Sequence, residues 1–145
     1  MRSQQALSAL SQEHGNASVE FIGWTLLLVV PVVYLLVALA QVQAASFAVA
    51  SAADAAARIL EVQEGPGALP HAQAAVGLAL SDQGVDADPV QALHVECAEP
   101  TCTGQVFVRV EATVSLPLLA STGIGEDIVV LEATRVIDMA EEEVP

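Results

Sequence analysis

The sequence predicts an α+β fold: a long N-terminal transmembrane α-helix followed by a small head of one short helix and a three-stranded antiparallel sheet. Three observations carry that reading. From Phe21 to Ala53 there is no Asp, Glu, Lys or Arg. Gly65-Pro66-Gly67 then punctuates the chain as a helix end and short hinge. Beyond Gly84 the apolar spacing changes from the helical period to a period of two, the mark of strands.

The helix is expected from Ala17 to about Leu60. Phe21 to Ala40 provides the roughly 20 apolar residues that a helix needs to cross a bilayer. Pro31 predicts a kink, because it removes one backbone bond. Membrane helices tolerate this where neighbours satisfy the freed carbonyl. From Ala44 to Ala57 alanine dominates. Ala44, Ala45, Ala48, Ala52, Ala55 and Ala56 read either as a contact surface, for sibling helices or for the protein's own head, or as plain helix propensity. Charge returns at Asp54 and Arg58, four apart and able to pair on one helical face. Glu20 stands at the lip of the apolar stretch. A carboxylate inside a bilayer costs about 2.5–3.5 kcal/mol at mid-depth, so one placed here has a partner or sits at the headgroup boundary beside Trp24.

In the head, Leu69, Ala72, Val76 and Leu80 repeat at helical spacing, and Gly84 is placed as a C-terminal cap. Residues 85–89 read as a loop. Leu93, Val95 and Cys97 then alternate with His94 and Glu96. Val106, Val108, Val110, Ala112 and Val114 alternate with Phe107, Arg109, Glu111 and Thr113, the cleanest strand pattern in the chain. A third strand runs from Ile128 to Met139 with Val129, Leu131, Ala133 and Ile137 inward. Arg135 falls on the same inward phase and calls for a bulge, an edge or a rim position. Glu141-Glu142-Glu143 reads as a solvated tail.

Cys97 and Cys102 bracket the tip of the first hairpin. A disulfide there would close a short loop and staple a small head lying outside the cytoplasm. Free thiols are the alternative. A zinc site with His94 lacks a fourth ligand. Eighteen acidic residues face four arginines and no lysine, a formal charge of −14. That balance repels phosphate backbones, so no nucleic acid is expected as a partner. His14, His71 and His94 sit in no nucleophile, phosphate-loop or metal-ligand pattern, and neither an enzyme nor a cofactor nor a metal is expected.

Three accounts of the N-terminus remain open: a leader of residues 1–15 cut after Gly15 to leave Asn16 as the new terminus, a secretory signal cut near Ala38-Leu39-Ala40 or Ala44, or an uncut single-pass anchor. A glycine, then a carboxylate five residues on, then a charge-free helix resembles the start of type IV prepilins. Gly15–Phe21, the helix through Ala57 and the run from Val106 to Leu118 together resemble the TadE-like pseudopilins of tight-adherence (Tad) pilus systems. The resemblance implies a leader at 1–15, a pilin-like helix at 16–62 and an extracytoplasmic head at 63–145. It further implies cleavage by a membrane prepilin peptidase, single-pass residence in the cytoplasmic membrane and incorporation in a surface pilus as a minor subunit. The implied partners are other pilin and pseudopilin subunits through the N-terminal helix, the inner-membrane assembly platform and the lipid bilayer. Glu20 would set register by pairing with the α-amine of a neighbouring subunit. From a different class, the chain reads as a membrane-anchored or secreted binding module of the cell envelope.

Overall fold

The alanine run is consumed by the protein's own head. The computed structural model describes residues 17–102, 104–115 and 129–139, together with the backbone of the first helix before them. That helix, α1, spans Arg2–Val62 and continues through Pro31. The chain divides into two compact units, Met1–Leu39 and Ala40–Pro145. In the second unit Ala45, Ala48, Val49, Ala52, Ala53, Ala56, Ala57 and Leu60 of α1 are buried in one apolar cluster with the rest of the head. Ala44 and Ala55 lie half-buried at its edge. Of the readings open for the alanines, contact with the head is the one found. Side chains this small let a helix and a sheet share a core without overpacking.

The other elements follow in order: α2 Ala68–Asp82, the single-turn α3 Pro89–Ala92, β1 Leu93–Cys97, β2 Gly104–Val114 and β3 Val129–Met139. The three strands form one antiparallel sheet in the order β1-β2-β3. The fold class is as the sequence predicts, with α3 as an addition. Its signal was legible, since Asp88 accepts the Val90 backbone N–H at 2.9 Å and Pro89 occupies the first turn. That pairing of cap and proline is a standard helix start.

Each boundary has a local cause. α1 stops before Gly65, whose φ of +88° is the left-handed conformation that glycine adopts without penalty. α2 closes on a Schellman turn: the Val85 N–H donates to the Leu80 carbonyl and the Gly84 N–H to the Ser81 carbonyl, both at 3.0 Å. Gly84 supplies the positive φ of +71°, and the buried pair Leu80 and Val85 gives the apolar contact typical of that turn. Gly77 lets α3 lie against α2, since a Cβ there would come within 3.2 Å of the Pro89 ring.

The buried face of α2 is Ala68, Ala72, Val76 and Leu80, a strict four-residue repeat. Leu69, expected inward, is 45% exposed, because the repeat places Ala68 under the core instead. On β2 the even-numbered residues Val106, Val108, Val110 and Ala112 are buried, as their alternation requires. β1 is less well covered: Leu93 is buried, Cys97 half-buried and Val95 exposed. Arg135 sits in unbroken register opposite Val108, so no bulge is present. β3 is an edge strand, and the arginine reaches past the rim to Asp54 of α1. The tail Glu141-Glu142-Glu143, the segment 116–128 and the side chains before Ala17 lie outside the described residues.

Candidate functional site: the apolar half of the long helix

Within α1, Ala17–Val62 is long and apolar enough to cross a membrane. Its most apolar 18-residue window has a mean hydropathy of 2.5, and only 6% of that window is buried within the protein. Large apolar side chains stand exposed along most of the surface from Val19 to Leu39, among them Phe21, Trp24, Leu28, Val32 and Leu36, while Tyr34 is half-buried and Ala38 buried on one face near its end. The apolar exposure is wider than the single stripe of an ordinary surface helix. The Thr25 hydroxyl donates to the Phe21 carbonyl at 2.8 Å and is satisfied within the helix, whereas the buried Tyr34 hydroxyl has no hydrogen-bond partner among the described residues. Pro31 has no N–H to give to the carbonyl one turn earlier, at Leu27.

Glu20 is exposed on α1 directly before Phe21 and one turn before Trp24. Among the described residues nothing pairs with its carboxylate. A bare carboxylate at the end of a greasy helix can hold a cation brought by another molecule. The cleavage pair predicted beside it, Gly15 and Asn16, has its side chains outside the described residues.

Cys97 and Cys102 are joined by a disulfide, with Cα atoms 5.0 Å apart. The bond spans the β1–β2 connection, where the Cys102 N–H donates to the Glu99 carbonyl at 3.0 Å around Pro100. Cys102 itself takes a φ of +53°, a conformation that costs a side-chain-bearing residue about 1–2 kcal/mol. The ladder resumes with the Ala98 N–H donating to the Gln105 carbonyl at 2.9 Å. By loop-closure entropy a loop this short should yield about 2 kcal/mol of stability. Changing both cysteines to serine is therefore expected to lower the denaturation midpoint, and adding reductant to the unaltered protein should reproduce that fall. Insensitivity of the unaltered protein to reductant would show that the bond contributes nothing.

Two ion-pair systems tie elements of the head together. Arg109, in the middle of the outer sheet face, lies 3.2 Å from Glu96 on β1 and 3.6 Å from Glu132 on β3. The Arg135 guanidinium donates to Asp54. Asp54 belongs to the head and lies well past Ala40. The hydrogen bond from Arg135 holds its carboxyl below the usual range, with help from the charges of Arg135 and Arg58. The sequence pairs Asp54 with Arg58, one turn away on the same helix. In the fold Arg135, distant in sequence, takes the carboxylate, and no local pattern could have announced it. All these groups are exposed, so each pair contributes at most about 1 kcal/mol. The elements they join matter more than their strength.

His71 and His94 lie apart; the His71 Nδ1–H donates to the Gln63 side-chain oxygen at 2.8 Å, bridging α2 back to the end of α1. Among the described residues no three of His, Cys, Asp and Glu converge to hold a metal ion. No protein-family model, curated protein or solved structure matches the chain.

Proposed function

We propose that the chain is a non-enzymatic, membrane-inserted pilus subunit of the TadE-like pseudopilin kind, released from its leader after Gly15 and held in an assembly by its N-terminal helix. The observation that carries this reading is the division of labour along α1. One stretch, Val19 to Leu39, exposes large apolar side chains over most of its surface behind the carboxylate of Glu20. The next stretch, Ala45 to Leu60, is the spine of the head's own core. A plain anchor needs only apolar length. A carboxylate kept at the start of that stretch, with no partner among the described residues, fits a helix that is to be registered against another. In a packed assembly the fresh α-amine of a neighbouring subunit, with an ordinary pKa of about 7.7–8.0, is a cation of the right kind. A misplaced carboxylate would lie uncompensated in apolar surroundings, a strongly penalised arrangement.

Determination of the mature N-terminus tests the proposal. Sequencing of protein isolated from its native membrane is expected to begin at Asn16. An intact Met1 would identify a permanent anchor, and a start near Gln41 a secreted head; either result would remove the pilin reading.

A further inference from the structure

β3 forms the longer edge of the sheet. Its eleven residues pair with β2 on one side only, in unbroken register from Val129 to Met139. In an antiparallel ladder successive residues send their N–H and C=O alternately to one side and the other. The Ala98 N–H reaches the Gln105 carbonyl, so odd-numbered residues of β2 face β1 and even-numbered ones face β3. The register sets even residues of β2 against odd residues of β3. By that alternation Val130, Glu132, Thr134, Val136 and Asp138 turn their main-chain groups outward, away from β2. Among the described residues one donor reaches these groups: the Arg135 guanidinium donates to the Thr134 carbonyl at 3.1 Å. The same guanidinium donates to Asp54. Arg135 thus bridges α1, which packs under the sheet, to a carbonyl on the open edge.

A long edge without proline or bulge is a template for another strand. The row of β3 that faces the core is Val129, Leu131, Ala133, Arg135 and Ile137, and its first three members are only half-buried. A strand laid beside β3 would cover them. β3 of a second copy has the shape for this. Set antiparallel about a two-fold axis at Thr134, the midpoint of the strand, the two copies overlap along their whole length. Leu131 then meets Ile137, Val129 meets Met139 and Glu132 meets Val136, with no two like charges opposite each other. The two central bonds join the Thr134 N–H of each copy to the Thr134 carbonyl of the other. That carbonyl is the one Arg135 holds.

We propose that Arg135, anchored on Asp54, is a latch that keeps β3 from pairing with β3 of a second copy. A charge in the inward phase of an edge strand spoils such pairing. Here the guanidinium also occupies the acceptor on which the symmetric ladder would centre. The two-fold axis of that pair stands perpendicular to the sheet, and it reverses any helix packed flat on the sheet. Two copies so joined would send their α1 helices in opposite directions, an arrangement closed to subunits standing side by side in one bilayer. The latch excludes a dead-end dimer. It concerns the head alone and stands or falls separately from the pilin reading.

The test uses the full chain in detergent micelles, with amide hydrogen exchange followed by NMR at several protein concentrations. In the unaltered protein the amides of Val130, Glu132, Thr134 and Val136 are expected to exchange freely at every concentration. Their odd-numbered neighbours should stay protected. Arg135→Thr should protect the outward amides as concentration rises, with dimer affinity at least about tenfold above that of the unaltered protein. Adding Thr134→Pro removes an N–H that β2 does not use, so the sheet should survive while the new protection disappears. If Arg135→Thr also loses the odd-numbered protection, the head itself has failed and Asp54→Asn is read instead. That variant keeps the arginine but loosens its anchor, and affinity should rise about threefold or more. Outward amides already protected in the dilute unaltered protein would overturn the proposal. So would outward amides left unprotected in the variant that is read, or protection that persists with Thr134→Pro added.

Discussion

Replacing Glu20 with leucine is expected to leave membrane insertion and cleavage after Gly15 unchanged while cutting incorporation into fibres by more than about a hundredfold. The size follows from the cost of breaking one partner out of a buried ion pair, about 3–5 kcal/mol, where each 1.4 kcal/mol is a factor of ten. Leucine keeps the helix and adds to its apolar length, so a loss cannot be blamed on poor insertion. Sheared surface fibres and the membrane fraction, blotted side by side, separate the outcomes. Glu20→Asp, which keeps the charge on a shorter stem, should restore part of the yield. Normal yield with Glu20→Leu would leave the carboxylate as an ornament of the headgroup boundary.

The second large effect concerns the head. Leu80 is 1% exposed and joins α2, the Schellman turn and the sheet in one cluster. Leu80→Ala is expected to cost about 2–5 kcal/mol through lost apolar contact and the cavity left behind. For a domain of this size that is a fall in Tm on the order of 10–30 °C, at roughly 4–8 °C per kcal/mol. Many of its neighbours are alanines and valines, which have little side chain to lean into the gap. The prediction therefore belongs at the upper end of the range. Thermal denaturation of the full chain in detergent, followed by a signal from the head, measures it. A shift of a few degrees or less would mean that Leu80 is not a keystone of the core.

Much of this architecture was legible because it rests on local rules. The alternation from Val106 to Val114 specified both a strand and the face it buries. Gly65 and Gly84 fall where the backbone turns left-handed. The charge-free stretch identified a helix fit for lipid. Reading failed where tertiary contacts decide. Leu69 and Ala68 both continue a helical repeat, and only the packing of α2 shows which is inward. Arg135 lies at the edge, one of the places its inward phase called for, but its partner Asp54 could not be read from the strand. Of the candidate site, the Glu20 position and the apolar run came from sequence, while the separation of α1 into an exposed stretch and a core-forming stretch required the fold.

That separation governs what proteolysis could liberate. A cut between α1 and α2, at the glycines near residue 65, would strip the globular part of Ala48, Ala52 and Ala56 and release a chain that lacks eight of the twenty buried residues of its core. A cut close to Ala40 would keep the interior whole. Shedding in folded form is thus confined to the boundary where the helix leaves its greasy portion, and the exposed hinge that looks most vulnerable yields only debris.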